Sequence, residues 1–135
     1  MKVFIDTNIF LDVILEREGY NEALEILTSC YNEENIGVIA DITLLNIDYI
    51  ASKQIVNIRE FLEIINNSFE IIGADNKIFN FALGLDNKDL EDNVQYFLAK
   101  ESGCDLIVSN DKKFYRGDIK VVSAKEFTYK ELNGF

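Results

Sequence analysis

Short apolar runs alternate with longer amphipathic stretches along this chain. Runs of strand length fall at residues 2–6, 36–40, 69–72, 105–109 and 119–122, and between them apolar residues recur at helical spacing. Ile9, Phe10, Val13 and Ile14 predict a helix over 7–16, and Ala23, Leu24, Leu27 and Tyr31 predict another over 21–31. Helices follow over 42–53, over 55–66, where Phe61, Leu62 and Ile65 set the stripe, and over 75–84. Leu90, Val94, Phe97 and Leu98, at i, i+4, i+7 and i+8, give a helix over 90–101, and a short tail helix starts near Ser123. Strands that read as continuous apolar runs between helices indicate a parallel sheet covered on both faces. The expected fold is therefore α/β, one domain over residues 1–135. Its turns rest on glycine, because proline is absent.

Composition narrows the chemistry. A 48% hydrophobic content without low-complexity runs fits a globular chain with a real core. No apolar stretch is long enough to span a bilayer, and Asp6 interrupts the first apolar run too early for a secretion signal. Cys30 and Cys104 lie outside metal-ligand spacing and are expected to be buried, reduced thiols of a cytoplasmic protein. There is no histidine. This excludes Ser-His or Cys-His nucleophiles, imidazole acid–base catalysis and His-ligated zinc. Hydrolysis would have to run on carboxylates, hydroxyls, amines or a metal ion.

The net charge of −11 is unevenly spread. Residues 105–135 hold six Lys and Arg against five Asp and Glu, so the first 104 residues carry −12. A polyanion needs Lys and Arg. If one binds here, it meets the segment around Lys112 and Lys113, beside Asp111.

Three places concentrate acids where an α/β sheet puts its ligands, at the C-terminal tips of strands. Asp6 follows the first strand and precedes Thr7 and Asn8 at a helix start; helix capping is the competing explanation. Asp86, Asp89, Glu91 and Asp92 crowd four acids into seven residues at another helix start. The spacing of Asp89 and Asp92 also suits a capping box. Asp111 follows Leu106-Ile107-Val108-Ser109-Asn110 past a strand end, where an Asx turn would explain it equally well. Together the three acidic points make a cage for a hard divalent cation on one sheet edge.

The segments Val3-Phe4-Ile5-Asp6-Thr7-Asn8, Asp89-Leu90-Glu91-Asp92-Asn93-Val94-Gln95-Tyr96 and Leu106-Ile107-Val108-Ser109-Asn110-Asp111-Lys112-Lys113-Phe114 resemble, in order and spacing, the PIN-domain family of metal-dependent nucleases, which includes the toxins of VapBC-type toxin–antitoxin pairs. The resemblance covers nearly the whole chain. It implies a three-layer α/β/α fold on a five-strand parallel sheet, with the first and fourth strands adjacent. It implies an endoribonuclease in which Asp6, Asp92 and Asp111 hold Mg²⁺ or Mn²⁺ and water attacks a phosphodiester, leaving 5′-phosphate and 3′-hydroxyl ends. Thr7, Asn8 and Ser109 match the family's small polar positions, which orient ligands and the scissile phosphate. An RNA substrate, a small antitoxin docked by Arg or Lys over the acidic cleft, and a homodimer are implied as well; a membrane is not.

One position departs from the pattern. The family's second acid, a Glu on the third helix, falls at Asn46. Asn46 shares a helical stripe with Ile42 and Ile50, which suggests a side chain turned to the site as a weak ligand or a hydrogen-bond donor. Asp48 lies about 160° around the helix and cannot replace it. Restoring Glu at position 46 is expected to tighten metal binding. The departure also favours a rival of another class, a catalytically inactive PIN-like module that binds protein or RNA. Phosphatases and receivers that phosphorylate an Asp fit less well, because Asn8 and Ile5 stand where they need a second acid. No Gly-rich phosphate loop supports a nucleotide binder.

Overall fold

The computed structural model describes residues 1–133. Five strands form one sheet: β1 (Lys2–Ile5), β2 (Ile36–Ala40), β3 (Glu70–Ile72), β4 (Leu106–Val108) and β5 (Lys120–Val122). All pairings are parallel, and the order is β3-β2-β1-β4-β5. The central strand is therefore β1, with β4 beside it as expected. Ile5 pairs with Val108, which brings the next residues, Asp6 and Ser109, to the same edge. The ladder runs on past the strand ends, because the Asp6 N–H donates to the Val108 carbonyl at 3.0 Å and the Ser109 N–H to the Val122 carbonyl at 2.9 Å.

Helices cover both faces. On one side lie α1 (Thr7–Ile14), α2 (Tyr20–Tyr31), α3 (Asp41–Ala51), α4 (Ile58–Ser68) and α7 (Ala124–Asn133). Their buried residues, among them Ile9, Phe10, Ile26, Ile47, Ile65 and Phe127, pack with Val3, Ile5 and Val108. On the other side, α5 (Asn76–Gly84) and α6 (Leu90–Glu101) bury Ile78, Ala82, Val94 and Leu98 against Phe4, Val38 and Ile107. Alternation along β1 thus feeds two cores, which is why its sequence reads as an unbroken apolar run. Gly37 in β2 is required by packing, since a Cβ there would run into the Phe69 ring.

Several sequence expectations shift in detail. On α2 the core side holds Ala23, Ile26, Leu27 and Cys30, while Leu24 and Tyr31 are exposed. α4 starts at Ile58 instead of 55, because residues 52–57 form the turn from α3 and leave Val56 97% exposed. On α3 the buried stripe is Thr43, Ile47 and Ala51, not Ile42 and Ile50. Asn46 is consequently half-buried, on the border of that stripe. Cys30 and Cys104 are free and buried, and burial pushes the Cys30 thiol up to about 11. Among the described residues, no helix is long and apolar enough to cross a membrane.

Candidate metal centre

Asp6 is 2% exposed, and its carboxylate makes no capping bond to α1. The capping explanation therefore fails for Asp6. Instead Oδ2 accepts from Ser109 Oγ at 2.8 Å, and Oδ1 accepts from Gln95 Nε2 at 3.1 Å. Ser109 Oγ also accepts from the Asp111 N–H at 3.1 Å, so one hydroxyl links the tips of β1 and β4. Asp111 Oδ1 accepts from the Lys113 N–H at 2.9 Å, which is the expected Asx turn. Thr7 pairs with Thr43 through their hydroxyls at 2.8 Å, fixing the start of α1 against α3.

The N-terminus of α6 adds the remaining acids. Asp89 caps the helix by accepting from the Asp92 N–H at 3.0 Å, as its spacing suggested. Asn93 braces the preceding loop, donating to the carbonyls of Ala82 and Asn87 at 3.1 and 3.0 Å. One carboxylate oxygen from each of Asp89, Asp92 and Asp111 lies within 4.8 Å of the others. Asp6, expected from the sequence to join Asp92 and Asp111, lies next to this group and interacts with both by charge. The tight cluster thus contains Asp89 in the place expected for Asp6. Of the polar positions singled out in the sequence, Asn8 and Lys112 are exposed. Asn46 donates from Nδ2 to Glu91 Oε1.

Electrostatics mark the centre of the group. Burial, followed by the charges of Asp6, Asp89, Asp111 and Glu91, pushes the Asp92 carboxyl up to about 8. Burial also raises Asp6, opposed by its bonds from Ser109 and Gln95. Glu91 is raised by burial and then by Asp6 and Asp89. Burial is a larger cause of these shifts than like-charge repulsion. Asp92 Oδ2 is buried and has no hydrogen-bond partner. An unpartnered carboxylate oxygen among other carboxylates is what a hard cation with oxygen ligands would satisfy.

Gln95 was not singled out from the sequence, and Glu91 was named there only as one of four crowded acids. Gln95 is wholly buried, with Nε2 on Asp6 and Oε1 unpartnered. A full polar amide on the buried face of α6, one turn from Asp92, is the signal that could have found it.

Comparison with known proteins agrees with this architecture. The chain is 34% identical to Ribonuclease VapC1 of Aquifex aeolicus (strain VF5), an alignment covering 93% of this chain and 92% of that one. Its fold resembles a toxin–antitoxin complex from Klebsiella pneumoniae (TM-score 0.68, 22% identity, 90% of this chain and 97% of that one). It also resembles VapBC2 from Rickettsia felis bound to a DNA fragment from its promoter (TM-score 0.64, 22% identity, 91% and 98%). The PIN domain profile matches residues 2–113, and the chain belongs to the PIN-domain family.

Proposed function

We propose that this protein is a metal-dependent endoribonuclease, hydrolysing RNA phosphodiester bonds with Mg²⁺ or Mn²⁺. The observation that carries the reading is Asp92 Oδ2, buried and unpartnered among the carboxylates of Asp89 and Asp111 at the tip of the sheet. The relationship to a protein named a ribonuclease supplies the reaction class.

Asp92 and Asp111 would hold the ion, with Asp6 and Asp89 completing its oxygen surroundings. When bound, the ion supplies Lewis acidity toward the phosphate and lowers the pKa of water. Ser109 keeps Asp6 and Asp111 in register, and Gln95 fixes the orientation of Asp6. Asn8 at the start of α1 and Lys112 beside Asp111, both exposed, would be open to an incoming phosphate backbone, while the buried Thr7 would act through its bond to Thr43. Water adds to phosphorus and the 3′ oxygen leaves with a proton, which gives 5′-phosphate and 3′-hydroxyl ends. A cyclic-phosphate route by imidazole acid–base catalysis is closed to a chain without histidine.

The same reading makes the protein the cytoplasmic toxin of a toxin–antitoxin pair, acting as a homodimer. The likeness to the Klebsiella pneumoniae toxin–antitoxin complex and to VapBC2, and the −12 charge of residues 1–104, support a small antitoxin whose Arg or Lys reaches the acidic mouth. The test is cleavage of varied single-stranded RNAs with Mn²⁺. The wild type should cut and Asp6→Asn should not. Equal activity of the two would refute the site. A wild type inactive on every RNA would leave the inactive binding module as the better reading.

A further inference from the structure

The family's α3 carboxylate is missing at Asn46, yet the place is not empty of charge. Asn46 Nδ2 donates to Glu91 Oε1. The two residues come from helices on opposite faces of the sheet, so this bond crosses the edge at which β1 delivers Asp6. Glu91 is half-buried. The acid that belongs to α3 in the family pattern has a counterpart here on α6.

We infer that Glu91 takes over the part of the absent α3 glutamate, contributing a carboxylate to the bound divalent cation, with Asn46 as the residue that positions it. This rests on the metal-dependent reading above. Three observations support it. The buried, unpartnered Asp92 Oδ2 marks a cation place next to Glu91 in the chain. Asn46, a neutral donor, satisfies one Glu91 oxygen, whereas Glu at 46 would set two carboxylates against each other. Glu91 also stands in the first turn of α6 with Asp92, the turn that Asp89 caps. Asn46 and Glu91 therefore work as a pair that supplies one carboxylate. Restoring Glu at 46 alone, expected from the sequence to tighten the ion, instead adds repulsion.

The test is Mn²⁺ affinity of the chelator-stripped protein, read from the electron paramagnetic resonance of free Mn²⁺, for four proteins. Glu91→Gln should bind Mn²⁺ at least about tenfold more weakly than wild type, the scale of losing a ligand-supporting contact. Asn46→Glu should bind no more tightly than wild type. The double variant Asn46→Glu/Glu91→Gln, which moves the carboxylate from one helix to the other, should recover most of the loss. Folding of each is checked by circular dichroism in EDTA. Wild-type affinity in Glu91→Gln, or a double variant as weak as Glu91→Gln, would overturn the pairing and leave the metal site standing. A wild type that binds no Mn²⁺ would overturn both. The readout does not depend on RNA cleavage, so failure of the nuclease reading alone is distinguishable.

Discussion

Replacing Asp92 by Asn should stabilise the metal-free protein at neutral pH, although it removes a residue at the heart of the site. Asp92 is 5% exposed, one oxygen lacks a partner, and its carboxyl is held up to about 8. The acids acting on it are Asp6, Asp89, Asp111 and Glu91. A carboxyl with a raised folded pKa binds its proton more tightly in the native state than in the unfolded chain. Metal-free stability therefore falls as pH rises from about 4, where the unfolded group titrates, and levels off near 8. Undiminished, that interval would amount to about 6 kcal/mol at about 1.4 kcal/mol per pH unit. The site meets solvent at the exposed Asp89, and coupled carboxylates share the titration, so about 2 kcal/mol is a sounder figure. Asn keeps the shape, carries no charge and can donate to the flanking carboxylates. For a chain of this length about 2 kcal/mol corresponds to about 7 °C in Tm. Thermal melts in EDTA check it. At about pH 7.5 the variant should melt about 7 °C above wild type, and the gap should close as pH falls to about 4, where the Asp92 carboxyl begins to be protonated in the unfolded chain as well. A variant no more stable than wild type at the higher pH would refute the reasoning.

Millimolar Mn²⁺ should raise the melting temperature of the wild type but not of Asp92→Asn; a hundredfold excess over Kd is worth about 2.7 kcal/mol. No shift in the wild type would count against a cation site. Asn110→Ala should lower stability by about 1 kcal/mol in urea unfolding, because Asn110 Oδ1 accepts from the Ala124 N–H at the start of α7. It also loses the 3.1 Å bond from Asn110 Nδ2 to Asp12 Oδ2, and an unchanged midpoint would show that neither bond matters.

The sheet was legible because β1 and β4 are buried on both faces, so their apolar runs admit little else. The meeting of strand-tip acids followed from parallel strands, which deliver every C-terminal tip to one edge. Which oxygens come closest did not follow. Asp6 is drawn deeper by Ser109 and Gln95, and no sequence pattern separates that from a cap. The phase of α3 was also hidden: Ile42, Leu44, Leu45, Ile47 and Ile50 leave apolar residues on every side, so periodicity could not say which stripe is buried. For the same reason the bond between Asn46 and Glu91 was out of reach. It joins helices 45 residues apart across the sheet edge, a contact that only the assembled fold creates.

The most direct test of the central claim follows metal and chemistry in one sample. Chelator-stripped protein is mixed with single-stranded RNA, and Mn²⁺ is titrated while bound metal and new 5′-phosphate ends are measured together. The two curves should rise with a common midpoint in the wild type, and both should be lost in Asp92→Asn. Cleavage that persists in excess EDTA, or that continues in Asp92→Asn at the wild-type rate, would contradict a metal-dependent nuclease built on these carboxylates.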